Sequence, residues 1–192
     1  MPTKEEPIKA VAENGSDRMI PVISLVGRKN SGKTTFISSL IPLLEARGFR
    51  VACVKQHKHD VPVDIVGKDS WLYSQAGASC SIMSTSKQLS LVHQREQMAD
   101  LEELSCIAAQ SGCNILLAES FNSSPCIRGV ERYVIARKER LEEPRFSPEQ
   151  CSGIISDDPV LAEQWRQAGS LVFELNEVES FANFLCEEYG TY

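Results

Sequence analysis

The run Gly27-Arg28-Lys29-Asn30-Ser31-Gly32-Lys33-Thr34 places glycine, lysine and hydroxyl side chains in the pattern G-x-x-x-x-G-K-[ST], a Walker A spacing suited to gripping phosphates. Gly27 and Gly32 permit backbone angles that a Cβ would forbid, so successive N–H groups, those of Asn30 and Ser31 among them, can turn inward around phosphate oxygens. Lys33 then reaches the β- and γ-phosphates, and the Thr34 hydroxyl can ligand Mg²⁺. Thr35 offers one more phosphate contact. The helix that follows aims its positive end at the same anion.

Such a loop needs an acidic group near the metal, normally at the end of another strand. Glu119 closes the apolar run Ile115-Leu116-Leu117-Ala118 and suits that place. Its carboxylate can hold a metal-bound water or position an attacking one. The stretch from Gln56 to Ser70 gathers His57, His59, Asp60, Asp64 and Asp69. Two chemistries compete there: Asp64 or Asp69 completes a Mg²⁺ shell, or His57 and His59 bind a transition metal with a third ligand. A plain solvated loop is the third reading.

Base selection has a weaker signal. The chain has no N-K-x-D guanine motif, but Ile154-Ile155-Ser156-Asp157-Asp158-Pro159 ends a late strand where such a motif would lie. A carboxylate at Asp157 could accept hydrogen bonds from guanine N1 and N2, which adenine cannot offer. The simpler alternative makes Asp157 or Asp158 a helix N-cap. Arg128, Arg132 and Arg137 lie along one expected strand. They read either as contacts to a phosphorylated ligand or, more simply, as exposed arginines on an edge strand.

The elements that must position these groups alternate in type. A buried strand, carried by Ile20, Val22, Ile23, Leu25 and Val26, precedes the phosphate loop. A helix over 33–47 follows, with Ile37, Leu40, Ile41 and Leu44 on one stripe and Pro42 expected to kink it. Further strands are expected at 50–55, 79–83, 88–93, 114–118, 130–136, 153–156 and 171–173, and helices at 69–75, 98–110, 159–167 and 177–186. Asp69 is the expected cap of its short helix. This order predicts an α/β fold, a doubly wound and predominantly parallel sheet flanked by helices. Ligands in such sheets bind outside the carboxyl ends of the strands, so the loops at 27–31, 56–68 and 119–125 should converge.

The whole chain has 192 residues, enough for one substantial core, and divides into an N-terminal tail over 1–18 and a single nucleotide-binding domain over 19–192. A net charge of −6 argues against a general nucleic-acid binder. No apolar stretch approaches a membrane span, and the polar N-terminus is no signal peptide, which reads as a cytoplasmic protein. The seven cysteines form no C-x-x-C pair and read as buried thiols of a reducing compartment.

Three segments together resemble the MobB family, the molybdopterin-guanine dinucleotide biosynthesis adaptor proteins. They are the loop through Thr35 with its Ile-Pro-Leu-Leu continuation, Val54-Lys55-Gln56-His57 through Gly67-Lys68-Asp69-Ser70 and Ala76-Gly77-Ala78, and Leu117-Ala118-Glu119-Ser120-Phe121. The middle segment is the most specific. The resemblance, over about residues 20–160, implies a P-loop NTPase fold of the GTPase class and a homodimer that binds GTP with Mg²⁺ and hydrolyses it weakly. It further implies service to the molybdenum cofactor guanylyltransferase, which attaches GMP to molybdopterin. After Glu119 the sequence departs from the family's glycine and Phe-Lys pair, with Ser120, Phe121 and Asn122 instead. Rival readings of the same residues are a GTPase metallochaperone using His57 and His59, and a P-loop small-molecule kinase.

Overall fold

Apolar residues at every position of a strand mean that both of its faces are covered. The computed structural model, which describes residues 19–57, 61–122, 129–139 and 144–190, has that arrangement at its centre. In chain order the elements are β1 (Val22–Val26), α1 (Lys33–Glu45), β2 (Val51–Lys55), α2 (Asp69–Gln75), β3 (Cys80–Ser84), β4 (Leu89–His93), α3 (Leu101–Gln110), β5 (Ile115–Glu119), β6 (Val130–Ala136), β7 (Gly153–Ser156), α4 (Pro159–Gln167), β8 (Leu171–Glu174) and α5 (Val178–Tyr189). A short 3-10 turn at Pro148–Gln150, absent from the sequence reading, precedes β7. The described residues form two compact units, one up to Gln56 and from Asp100 onward, the other His57–Ala99.

The larger unit is a six-stranded sheet in the order β2-β5-β1-β6-β7-β8, parallel at every pairing. β1, β5 and β7 are buried along their whole length. On β1, Ile23 and Leu25 point into a core with Phe36, Leu40 and Leu44 of α1 and Phe181 and Leu185 of α5. Tyr133, Phe173 and Phe181 meet edge to face there, with centroids 4.9 Å apart for two of the pairs, a favoured aromatic geometry. The opposite parity of β1 serves the other face: Val22 packs with Leu101 and Ala108 of α3, and Val26 with Trp165 of α4. β1 thus lies between β5 and β6 with its carboxyl end at the point where the strand order turns, the position at which such sheets bind ligands.

The smaller unit pairs β3 and β4 as an antiparallel hairpin of its own, with Ile82 opposite Leu91 and Ser84 opposite Leu89. α2 lies against one of its faces, where Ser81 is buried and donates to the Ser70 carbonyl at 3.1 Å.

Several sequence expectations change in detail. α1 runs through Pro42 to Glu45, because Pro42 faces solvent and water can take the carbonyl its ring leaves unpaired. α3 starts at Leu101 rather than Met98, since the Asp100 carboxylate accepts from Glu103 N at 2.8 Å and caps the helix there. Lys68, not Asp69, is the N-cap residue of α2, and Asp69 is its first helical residue. The six described cysteines are exposed or half-buried rather than buried; Cys53 lies on the edge strand β2 and Cys80 on the hairpin, where a side chain has a face without cover. The expected tail over 1–18, His59, Asp60, Cys126 and Arg128 lie outside the described residues.

Candidate functional site

The phosphate loop leaves β1 at Gly27 and enters α1 at Gly32. Both glycines hold positive φ, 151° and 90°, and Asn30 joins them at 61°. Gly27 is also a matter of space, since a Cβ there would sit 2.4 Å from the Ile135 carbonyl oxygen on the neighbouring strand. At Gly32 a Cβ would meet the Arg137 guanidinium at 2.8 Å, so this side chain from the end of β6 lies against the loop. Both contacts come from β6 and the residue after it, so the loop lies against the end of that strand.

The start of α1 suits an anion. The first N–H groups of a helix have no partner within it. Gly32 at the N-cap has no side chain to offer, no acidic residue occupies the first turn, and Thr34 and Thr35 are exposed there. The helix end thus keeps its positive field. Lys33 is buried, and its ammonium donates to the carbonyls of Gly27 at 3.2 Å and Arg28 at 2.7 Å and to Ser31 Oγ at 3.3 Å. Burial holds its pKa below the ordinary lysine range; Glu119 pulls it upward, while Lys55 and Arg145 add to the lowering.

Glu119 ends β5 beside the loop, buried to 7% exposure. The Thr34 hydroxyl lies 3.0 Å from its Oε1 and 2.9 Å from its Oε2. Lys55, the last residue of β2 and the register partner of Glu119, brings its ammonium to 3.0 Å from Oε1. Gln56 N donates to the Glu119 carbonyl, and Ser120 N to the Leu25 carbonyl, so three strand ends are tied together at this edge. A hydroxyl and a carboxylate in contact are hard oxygen donors of the kind Mg²⁺ takes.

Beyond Glu119, Ser120 adopts φ 70°, a left-handed conformation unusual for a residue other than glycine. The backbone shape is thus one that glycine takes at no steric cost, although serine occupies it. Asp157 accepts a backbone hydrogen bond from Lys138 N at 2.7 Å and so pins the segment after β6. Asp158 is the N-cap of α4, accepting from Val160 N at 3.0 Å and Leu161 N at 3.3 Å. A cavity of about 210 Å³ opens beside the loop, bounded by Gly27, Arg28, Ser31, Arg137 and Asp158.

β6 pairs with β1 on one side and β7 on the other, so the edge-strand reading of its arginines is wrong. Arg132 is buried, with its guanidinium 4.8 Å from the Phe146 ring centroid, and Arg137 flanks the loop. Asp64 and Asp69 belong to the smaller unit. There Asp64 Oδ1 accepts from Ser70 Oγ at 2.9 Å and Ile65 N at 2.8 Å, while Asp69 is exposed on the first turn of α2. His57 is exposed, and no three His, Cys, Asp or Glu side chains gather into a metal-holding group among the described residues. The sequence offered Arg137 as a phosphate contact among other readings, whereas the contact of Lys55 was missed by sequence reasoning. The only signal for Lys55 was its position at the carboxyl end of a strand, β2, which pairs with β5 beside Glu119.

Residues 22–157 match the family model of molybdopterin guanine dinucleotide synthesis protein B. The molybdopterin-guanine dinucleotide biosynthesis adapter protein of Escherichia coli is 28% identical over 173 residues, 88% of this chain and 93% of its own length. The adapter protein of Haemophilus influenzae is 25% identical over 169 residues, 88% of this chain and 89% of its own. The crystal structure of Bacillus subtilis MobB is similar with a TM-score of 0.68 at 26% identity, over 88% of this chain and 98% of that one. Among the described residues no helix is long and apolar enough to cross a membrane.

Proposed function

Because the chain belongs to the family of molybdopterin guanine dinucleotide synthesis protein B, we propose that it is a GTP-binding adaptor with slow GTPase activity, assisting the attachment of GMP to molybdopterin. The observation that carries this reading is the Thr34–Glu119 contact at the uncapped start of α1, with Lys33 alongside. Lys33 and the N–H groups of Gly27 to Thr35 hold the phosphates. Thr34 and Glu119 hold Mg²⁺, which when bound neutralises phosphate charge. Glu119 also orients water, and Asp157 contributes its second carboxylate oxygen to guanine recognition. Residues 19–192 work as one nucleotide-binding domain in the cytoplasm.

The partners are molybdopterin, the guanylyltransferase and a second copy of this chain. Support for the homodimer comes from the hairpin face opposite α2. Ile82, Leu89 and Leu91 lie together on it with exposures of 58%, 71% and 60%. Adjacent bare apolar side chains of this kind mark an interaction surface.

Equilibrium titration with labelled GTP tests the nucleotide site. The wild-type chain should bind, and Lys33→Ala should lose affinity by about ten- to a hundredfold, as loss of a charge-assisted contact does. Unchanged affinity in the variant would overturn the site. Capture of the guanylyltransferase on the immobilised chain, with and without GTP, tests the adaptor role; equal capture in both would sink nucleotide dependence.

A further inference from the structure

The ion pair between Lys55 and Glu119 joins a half-exposed cation to a buried carboxylate. Lys55 has a side chain 47% exposed, so its ammonium keeps water contact and can change partner. Glu119, by contrast, is 9% exposed at its side chain and accepts from Thr34 through both oxygens. A carboxylate in that position needs a cation, and Lys55 supplies one through a long, flexible stem. The position of Lys55 is fixed by the fold. It ends β2, directly beside the end of β5, which in turn borders β1 at the carboxyl end of the sheet, where the phosphate loop emerges. Its charge also reaches Lys33, whose ammonium it disfavours.

Two lysines, one hydroxyl and one carboxylate therefore share a single cluster, although the phosphate-loop pattern accounts for only Lys33. A terminal phosphate carries more negative charge than one carboxylate and competes for any ammonium within reach. Resting on the reading of this site as a nucleotide site, we infer that Lys55 is a second phosphate-directed cation. It pairs with Glu119 and exchanges to the terminal phosphate when a nucleoside triphosphate binds, so the site distinguishes triphosphate from diphosphate through it. Nothing covalent changes in this exchange; one ammonium trades a carboxylate partner for a phosphate partner.

The test compares GTP and GDP affinity of the full chain for wild type, Lys55→Met, Lys55→Gln, Lys55→Arg and Lys33→Ala, with thermal melting as the folding control. Lys55→Met and Lys55→Gln should weaken GTP about tenfold or more and GDP by less than about twofold, the loss of one charge-assisted contact to the terminal group. Lys55→Arg should recover most of the GTP affinity. Equal losses for GTP and GDP would make Lys55 only a prop for Glu119, and no loss for either would remove it from the phosphate site; both outcomes overturn the inference. If the wild-type chain binds neither nucleotide, or Lys33→Ala binds both as wild type does, the underlying nucleotide reading falls and this inference falls with it.

Discussion

The Thr34 hydroxyl donates between both carboxylate oxygens of Glu119, at 3.0 Å and 2.9 Å, across a sequence separation of 85 residues. The contact joins the first turn of α1 to the end of β5, so the two groups expected to serve a metal already touch. Glu119→Gln keeps the shape and the oxygen acceptor but removes the charge. It should leave GTP binding without Mg²⁺ within a few-fold of wild type. GTP turnover should fall by about a hundredfold, in the range seen when a positioned acid–base group is removed. Turnover at the wild-type rate would take Glu119 out of the reaction.

Lys33 gives a pH dependence with a definite sign. Its pKa lies below the ordinary lysine range, mainly through burial. A phosphate anion favours the charged form and raises it again. Between the lowered and the ordinary value, nucleotide binding should therefore take up protons, and affinity should fall as pH rises through the lowered value. Folding moves the other way: the unfolded chain holds the proton more tightly there, so the Lys33 contribution to stability rises with pH over the same window. Calorimetric titration in buffers of different ionisation enthalpy measures the proton uptake directly. Equal apparent enthalpies in all buffers across that window would show that Lys33 does not meet the phosphate.

Ser120 holds a φ of 70°, a left-handed conformation that glycine takes without steric cost. A non-glycine residue in this region costs about 1 kcal/mol or somewhat more. Ser120→Gly removes that strain but gives the unfolded chain more freedom, so its stability should change by less than about 1 kcal/mol. Ser120→Val adds β-branching in the same conformation and should cost about 1–2 kcal/mol. Urea denaturation of both variants tests the pair; a valine variant as stable as wild type would contradict the strained geometry.

Much of the fold could be read from local pattern. The limits of β7 and the start of α4 agree with the sequence reading because they are set by Gly153, Asp157-Asp158 and Pro159, residues that act on their own backbone. The positions of Gly27, Gly32, Lys33, Thr34 and Glu119 were legible for the same reason, each tied to the strand end or helix start beside it. Strand order is different, since it depends on contacts distant in sequence. Nothing in the periodicity of 130–136 distinguishes an edge strand from one lying between β1 and β7, which is why the edge-strand reading of Arg132 and Arg137 fails although the sequence favoured it over a phosphate contact. Lys55 looks like any lysine at a strand end until β5 is placed beside β2. Asp157 and Asp158 were both offered as caps, and only the backbone course into α4 decides for Asp158.

The hairpin of the smaller unit gives the last test. Ile82 and Leu91 are register partners, and Leu89 lies on the same face of the β3–β4 pair, two residues along from Leu91. The opposite face carries Ser81, buried against α2. Hydrophobic side chains so exposed on a two-stranded sheet lose free energy unless another surface covers them, at about 25 cal/mol for each Å² of apolar area buried. A second copy of the same hairpin offers a self-complementary partner, the arrangement a two-fold dimer requires. Leu91→Asp puts a charge at the centre of that face while leaving the Ser81 side untouched. The wild-type chain should run as a dimer in light scattering coupled to size exclusion, and Leu91→Asp should shift it to monomer with GTP affinity changed by less than about threefold, a difference well under 1 kcal/mol. A variant that stays dimeric would move the interface away from this hairpin.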